Sequence, residues 1–318
     1  MRRYVLRRLA VLVPTLLGMS FLVFSVASLT PGDPAEEYAQ RVSDRPPTEE
    51  QLALARHELR LDRPFVVQYV SWVGHAVRGD LGKSFFTRRP VVDEILHRIP
   101  FTLQLAVPAA LLSLLLAVVV GTVCAFYRNR LVDQVVRILS LAGASMPSFW
   151  LALILIILFS VRLHIFPVAG REAGLASVVL PVVALSLPSA AVLGRFIRST
   201  LLEVLGEDYI RTARSKGVRE VLVLRRHALR NSLVPVVTAF GTSLGHLLAG
   251  TVVIESIFAW PGLGTLTLDA IRHRDYPMLQ AFILFSGLVV IAINLIVDVS
   301  YAAIDPRIRP GRLSAASK

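Results

Sequence analysis

Asp208-Tyr-Ile-Arg-Thr-Ala-Arg-Ser-Lys-Gly217, then Val218 to Arg226, then His227-Ala-Leu-Arg-Asn-Ser-Leu-Val-Pro235, is the most polar helical segment in an otherwise apolar second half of the chain. It lies between two segments long enough to cross a bilayer, so its reading decides the arrangement of everything around it. Asp208 is a fitting cap for a helix whose apolar positions, Leu202, Leu205, Tyr209 and Ala213, recur three and four apart. Gly217 offers the left-handed conformation that stops a helix and turns the chain. A second short helix is expected beyond it, with Val221, Leu222, Leu224 and Leu229 as its apolar positions. A helix–glycine–helix elbow at a membrane face is a contact element. Tyr209 supplies an aromatic anchor, with Arg214 and Lys216 as a charged rim.

The flanking composition sets the class. Of 318 residues, 54% are hydrophobic and only 18% charged, and the mean hydropathy is +0.63. The apolar residues come in blocks near the ~20 residues that a helix needs to span a bilayer. The expectation is an all-α polytopic membrane protein with six transmembrane helices. The single cysteine, Cys124, rules out an intrachain disulfide or a cysteine metal site. The N-terminus, Met1-Arg-Arg-Tyr-Val-Leu-Arg-Arg8, resembles the basic start of a secretion signal. The apolar run behind it is too long for one, so an uncleaved first helix is expected.

In order, helix 1 is read over Leu9 to Leu29, with residues 1–29 as the N-terminal end and first span. A polar loop region, 30–100, carries two short helices, Gln51 to Leu61 and Phe65 to Val77. Residues 101–304 form the core with five further spans. These are helix 2 at Phe101 to Tyr127, helix 3 at Ile138 to Ser160 with a kink at Pro147, helix 4 at Val178 to Ile197, helix 5 at Leu233 to Ile254 and helix 6 at Leu279 to Ile304. Residues 128–137 are a link, and 198–232 are the elbow. Trp260-Pro-Gly-Leu-Gly264 marks a re-entrant or surface loop between Glu255 and Met278. A basic tail, 305–318, closes the chain.

The net charge of +12 is a topology signal rather than a nucleic-acid patch. With six spans, the side holding both termini, the 128–137 link and the elbow carries twenty Lys/Arg against six acids. The other side carries fourteen against fifteen. The positive-inside rule then puts both termini and the elbow in the cytoplasm.

The elbow residues, Tyr209-Ile-Arg-Thr-Ala-Arg-Ser-Lys-Gly217 and Arg226-His-Ala-Leu-Arg-Asn-Ser-Leu-Val-Pro235, resemble the cytoplasmic coupling loop of binding-protein-dependent ABC importer permeases. The resemblance is nearest to the dipeptide/oligopeptide/nickel group. The broader superfamily loop begins Glu-Ala-Ala with a glycine six residues after the Glu. Here Arg211-Thr-Ala213 stands in its place, with Gly217 at the same distance, as is the habit of the peptide subgroup. Thr30-Pro-Gly-Asp-Pro34, Leu61-Asp-Arg-Pro-Phe65, Gly79-Asp-Leu-Gly-Lys-Ser84, Val253-Ile-Glu-Ser-Ile-Phe258, Pro261-Gly-Leu-Gly264, Arg274-Asp-Tyr276 and Asp298 to Arg307 resemble the same subgroup in order and spacing. The resemblance covers nearly the whole chain.

The resemblance implies a non-enzymatic transport subunit in a prokaryotic cytoplasmic (inner) membrane. Its implied partners are a second, homologous permease, two ABC ATPases that bind ATP and Mg, and an extracytoplasmic substrate-binding protein. The implied cargo is a dipeptide or oligopeptide, with nickel, glutathione or another small solute as the alternative. The ATPase-coupling residues would be Tyr209, Thr212, Ala213, Arg214, Lys216, Gly217 and His227. No nucleotide site is expected in this chain: Gly82-Lys-Ser84 has the tail of a phosphate-binding loop, but Val77 stands where its first glycine should be. No zinc-protease motif or metal-binding cluster stands out. An ion-driven secondary transporter would show inverted repeats with broken helices, and none is found in the sequence.

Three ionisable residues near the membrane keep two readings each. Asp298 in helix 6 is a pathway acid or a structural partner of a neighbouring helix or of Arg195. His246 in helix 5 lines a pathway or packs. Glu255, at the start of the outer loop, is a gate or docking contact, or a helix-end charge.

Overall fold

The computed structural model describes residues 2–29, 33–40 and 46–304, and within them the side chains of 2–12, 298, 299 and 301–304, among others, lie outside the description. The described chain is all-helical. Its helices are α1 (Arg2–Leu29), α2 (Pro34–Gln40), α3 (Glu49–Glu58), α4 (Phe65–Ala76), α5 (Val91–Phe126), α6 (Leu131–Ser145), α7 (Ser148–Leu155), α8 (Leu175–Leu205), α9 (Asp208–Ser215), α10 (Glu220–Leu222), α11 (Leu229–Ile257), α12 (Leu263–Arg272) and α13 (Tyr276–Ile304). π-Helical turns, Ile156–Arg162 and Val223–Ala228, extend α7 and join α10 to α11.

Among the described residues, four helices are long and apolar enough to span a membrane: Val91–Phe126, Leu175–Leu205, Glu220–Ile257 and, within α13, Tyr276–Val297. The pair Leu131–Ser145 and Ser148–Arg162 makes a fifth if counted as one span, and it bends by 104°. Pro147 caps α7 in an extended conformation and has no N–H to continue α6, so the expected kink is a full break. The described apolar part of α1, Val13–Val26, is shorter than a span. Six crossings are therefore not matched one for one.

The described chain divides into two compact units, one of residues 102–260 with 292–304, the other of the described residues up to 101 with 261–291. In the first, Ala117, Ala125, Leu193, Ile197, Leu201, Leu224, Ala228 and Val236 form a buried cluster. Small residues allow close approach: a Cβ on Gly121 would stand 2.7 Å from Ile197 Cγ2 and 2.8 Å from the Gly194 carbonyl, and one on Gly241 would overlap Val297. Asp133 on α6 is 1% exposed. Both its oxygens accept from Arg198 on α8, at 2.7 Å each, and Oδ2 also accepts from the Asn129 N–H at 2.9 Å. The bidentate pair fixes α6 against α8, and removing one partner would leave a buried charge at a cost of about 3 kcal/mol.

In the second unit, Val91, Ile95, Leu263, Leu266, Ala270, Met278 and Ala281 form the core, with Phe282 and Phe285 against it. A smaller cluster joins α2 to α3 through Ala35, Ala39 and Ala55. The N-terminus of α3 is set by a capping box: Thr48 Oγ1 accepts from the Gln51 N–H and the Gln51 side chain accepts from the Thr48 N–H. Phe21 and Phe24 of α1 meet Phe65 and Tyr69 of α4 edge to face, with centroids 5.3–5.9 Å apart.

Several expected boundaries move. Helix 2 starts ten residues earlier, at Val91, because Val91 and Ile95 are anchored in the second unit's core. The 128–137 link shrinks, since α6 begins at Leu131. The turn cluster at Pro261-Gly-Leu-Gly264 opens a ten-residue helix, α12, with Gly262 as its N-cap. The tail, 305–318, lies outside the described residues.

Candidate functional site

The elbow begins later than its composition suggests. α8 continues through Leu205, so Arg198 belongs to that helix and to the Asp133 pair. Leu202 and Leu205 therefore do not share a helix with Tyr209 and Ala213. The break falls at Gly206, and Glu207, not Asp208, is the N-cap of α9, with no side-chain capping bond. Asp208 is the first helical residue; its carboxylate meets Arg211 at 3.2 Å, and Thr212 Oγ1 donates to its carbonyl at 3.0 Å.

Gly217 has φ +78°. Its N–H donates to the Arg214 carbonyl at 2.9 Å and the Val218 N–H to the Ala213 carbonyl at 3.3 Å. These two bonds make the paired closure of a left-handed helix end, as the sequence leads one to expect. Arg214 spans the turn: Nη2 and Nε donate to the two oxygens of Glu220 at 2.6 and 3.0 Å. Those bonds hold the Glu220 carboxyl below its ordinary range and raise the guanidinium further. Ile210 is fully buried and anchors α9, whereas Tyr209 is 43% exposed. The Tyr209 hydroxyl accepts from Asn231 Nδ2 at 2.7 Å and so ties α9 to α11.

The second arm is not a separate helix. Glu220 to Ile257 runs as one helical stretch through the π-turns. The extra residue in a π-turn rotates the faces around it. Val223, Leu224 and Ala228 point inward, while Val221 and Leu222 are 63% and 45% exposed. The elbow thus presents Tyr209, Val221 and Leu222 among the exposed cations Lys216, Arg219, Arg225 and Arg226. Ala213 and His227 are half-buried beside them. Exposed apolar side chains on an element rich in exposed cations are suited to a protein surface. Nothing in the sequence signals that Val221 and Leu222 face outward, because a 3.6-residue period does not register a π-turn.

The remaining singled-out residues are scattered. His246 is exposed on α11, so it does not pack within this chain; its Nδ1 lies 3.2 Å from the Thr242 carbonyl. Glu255 is inside α11, not at the start of a loop. It is fully buried, and its Oε1 accepts from Thr102 Oγ1 at 2.7 Å. The Asp298 side chain lies outside the described residues.

One constellation was not anticipated. Asp275, 2% exposed, accepts from the Ser84 hydroxyl, from the N–H groups of Phe85 and Phe86 at 3.0 and 3.3 Å, and from the Met278 N–H at 3.4 Å. Ser84, the last residue of the false phosphate-loop motif, is thus a structural latch.

With this geometry in hand, the comparisons identify the class. Residues 117–310 match the family of binding-protein-dependent transport system inner membrane components, and residues 1–106 match the N-terminal component of the same systems. The chain belongs to that family and is a permease subunit of an ABC importer in the inner membrane. Among its relatives, the glutathione transport system permease protein GsiC of Salmonella choleraesuis (strain SC-B67) is 44% identical, over 97% of this chain and 99% of its own. GsiC of Escherichia coli (strain K12) is 43% identical over the same shares. Among solved structures, an inward-facing MetNI methionine ABC transporter chain matches 66% of this chain and 96% of its own, with a TM-score of 0.56 at 19% identity; that likeness concerns the fold.

Proposed function

We propose that this chain is one of two membrane subunits of an importer for short peptides. A second permease completes the pathway, two cytoplasmic ATPases grip the elbows, and an extracytoplasmic receptor delivers cargo. The observation that carries the cargo reading is end-to-end relatedness to permeases named for glutathione, a tripeptide. It favours glutathione over the ordinary dipeptides that the sequence puts first.

In this reading the termini and the elbow are cytoplasmic, on the side rich in Lys and Arg. ATP closes the ATPase pair, and Tyr209, Val221 and Leu222, seated in the ATPase surface, move with it. Gly217 and the Arg214–Glu220 clamp keep the two arms at a fixed angle, so the displacement passes into α8 and α11. Thr212 and Lys216 are exposed on the same elbow, and Ala213 and His227 are half-buried there. ATP shifts the equilibrium because it binds the closed pair more tightly than the open one.

The test is uptake by the complete importer in proteoliposomes with labelled glutathione, Ala-Ala or nickel. ATP-dependent glutathione uptake, suppressed by excess unlabelled glutathione and not by nickel, is expected. Nickel uptake without peptide uptake would overturn the cargo reading.

A further inference from the structure

We infer that the second unit carries its own binding cleft for a small carboxylate-bearing peptide, separate from the elbow. This rests on the peptide-import reading for the identity of the ligand. The cleft is a half-open groove of about 870 Å³ between the α2–α4 segment, the turn at 80–88 and the start of α13. That is ample for a short peptide with some of its water, since ligand pockets run from ~300 to ~1,000 Å³.

The lining is polar and partly unsatisfied. Its three acids are occupied: Asp33 by Arg56 at 2.7 Å, Glu58 by the Tyr38 hydroxyl at 2.8 Å, and Asp80 by the Gly82 N–H at 2.9 Å. Two of its cations, Arg60 and Lys83, are exposed and have no acidic partner among the described residues. Gln280 is 6% exposed and lines the cleft, yet its amide has no hydrogen-bond partner among the described residues. Trp72 also lines it, and its buried indole N–H is unpartnered. The cations are exposed and the Trp72 indole N–H is sealed from the cleft, so the weight falls on Gln280, a buried residue whose amide a ligand would complete.

The backbone adds an independent sign. Arg60 has φ +56° and Arg88 has φ +61°. Arg60 sits at the left-handed end of α3, where the Leu61 N–H reaches back to the Arg56 carbonyl at 2.8 Å. Glycine is the favoured residue at such a position. Keeping arginine there costs backbone energy and returns a cation to the cleft. Arg88 stacks on the Tyr38 ring, 4.7 Å from its centroid. Exposed cations beside a buried amide suit a ligand with a carboxylate and further acceptors, which describes an anionic tripeptide. The proposed orientation places this unit's loop segments outside the cell, where such a ligand arrives.

The test uses the full chain, with any subunits that stay bound, in neutral phosphatidylcholine nanodiscs. Calorimetric titrations with glutathione, Ala-Ala and inorganic phosphate are compared for wild type, Arg60→Gly and Gln280→Leu. Arg60→Gly relieves the left-handed strain, so it is expected to melt no lower than wild type while binding glutathione about tenfold more weakly, as loss of a charge-assisted hydrogen bond implies. Gln280→Leu is expected to weaken binding while leaving the weak response to phosphate unchanged. Unchanged glutathione affinity in both variants would overturn the proposal. So would phosphate binding as tightly as the peptide, or occupancy seen only when phosphatidylglycerol is added, which would make the cleft a lipid-headgroup seat. Uptake is scored separately: peptide binding without peptide import contradicts the import reading and leaves the cleft standing, and import without binding does the reverse.

Discussion

Asp275 shows what a single side chain decides here. Its two oxygens hold the Ser84 hydroxyl and three backbone N–H groups. Asp275→Ala strands these donors in a buried site, and a loss of about 3 kcal/mol is expected from the second unit; thermal unfolding in detergent checks it, and an unchanged midpoint would count against the latch. The sequence displays both Gly79-Asp-Leu-Gly-Lys-Ser84 and Arg274-Asp-Tyr276 but not their partnership, because 191 positions separate Ser84 from Asp275. A second prediction at this scale concerns Glu220. Chiefly because of the hydrogen bond from Arg214, its carboxyl ionises below its ordinary 4.5. A depressed acid contributes stability that is complete above its unfolded value and lost as pH falls through the folded one. Carbon NMR of labelled Glu220 is expected to show a midpoint below 4.5 that returns upward in Arg214→Gln. Both side chains are substantially exposed, so the clamp itself is worth under about 1 kcal/mol.

Among the elements, the elbow was the most legible. The glycine at its bend and the amphipathic marks of its first arm were readable from spacing, and Gly217 does adopt the left-handed conformation. The boundaries were not, for identifiable reasons. Arg198 reads as the start of a polar segment, yet its charge is neutralised by Asp133 across a helix pair, so α8 carries on. The π-turn at Val223–Ala228 changes which residues face outward, and no short-range pattern announces it. α12 hid behind Pro261 and Gly262, residues that signal a turn and here also begin a helix. The bend itself yields a prediction. A Cβ at Gly217 would meet nothing within 4 Å, so the cost of alanine is conformational alone. Gly217→Ala is expected to weaken the elbow by about 1 kcal/mol and slow transport. Gly217→Pro cannot reach that φ and loses the bond to Arg214, so it is expected to abolish uptake at an unchanged membrane level. Normal uptake by the proline variant would remove the elbow from the mechanism.

At the scale of the whole molecule, the sequence made the class plain, because apolar blocks and charge asymmetry are global properties that survive errors at every boundary. The number of spans was harder, since Pro147 converts one apolar block into two helices at 104°. The chain's central proposed property is transmission: it takes force at a cytoplasmic arm and delivers it to the membrane helices. The most direct measurement is site-specific photo-crosslinking in native membranes. A photoreactive residue at Val221, 63% exposed on the elbow, is compared with one at Leu175, 86% exposed at the far end of α8. Adducts between Val221 and a nucleotide-hydrolysing subunit, shifting with ATP and absent from Leu175, are expected. Adducts of Val221 with lipid alone, or the same partner captured at both positions, would contradict the account.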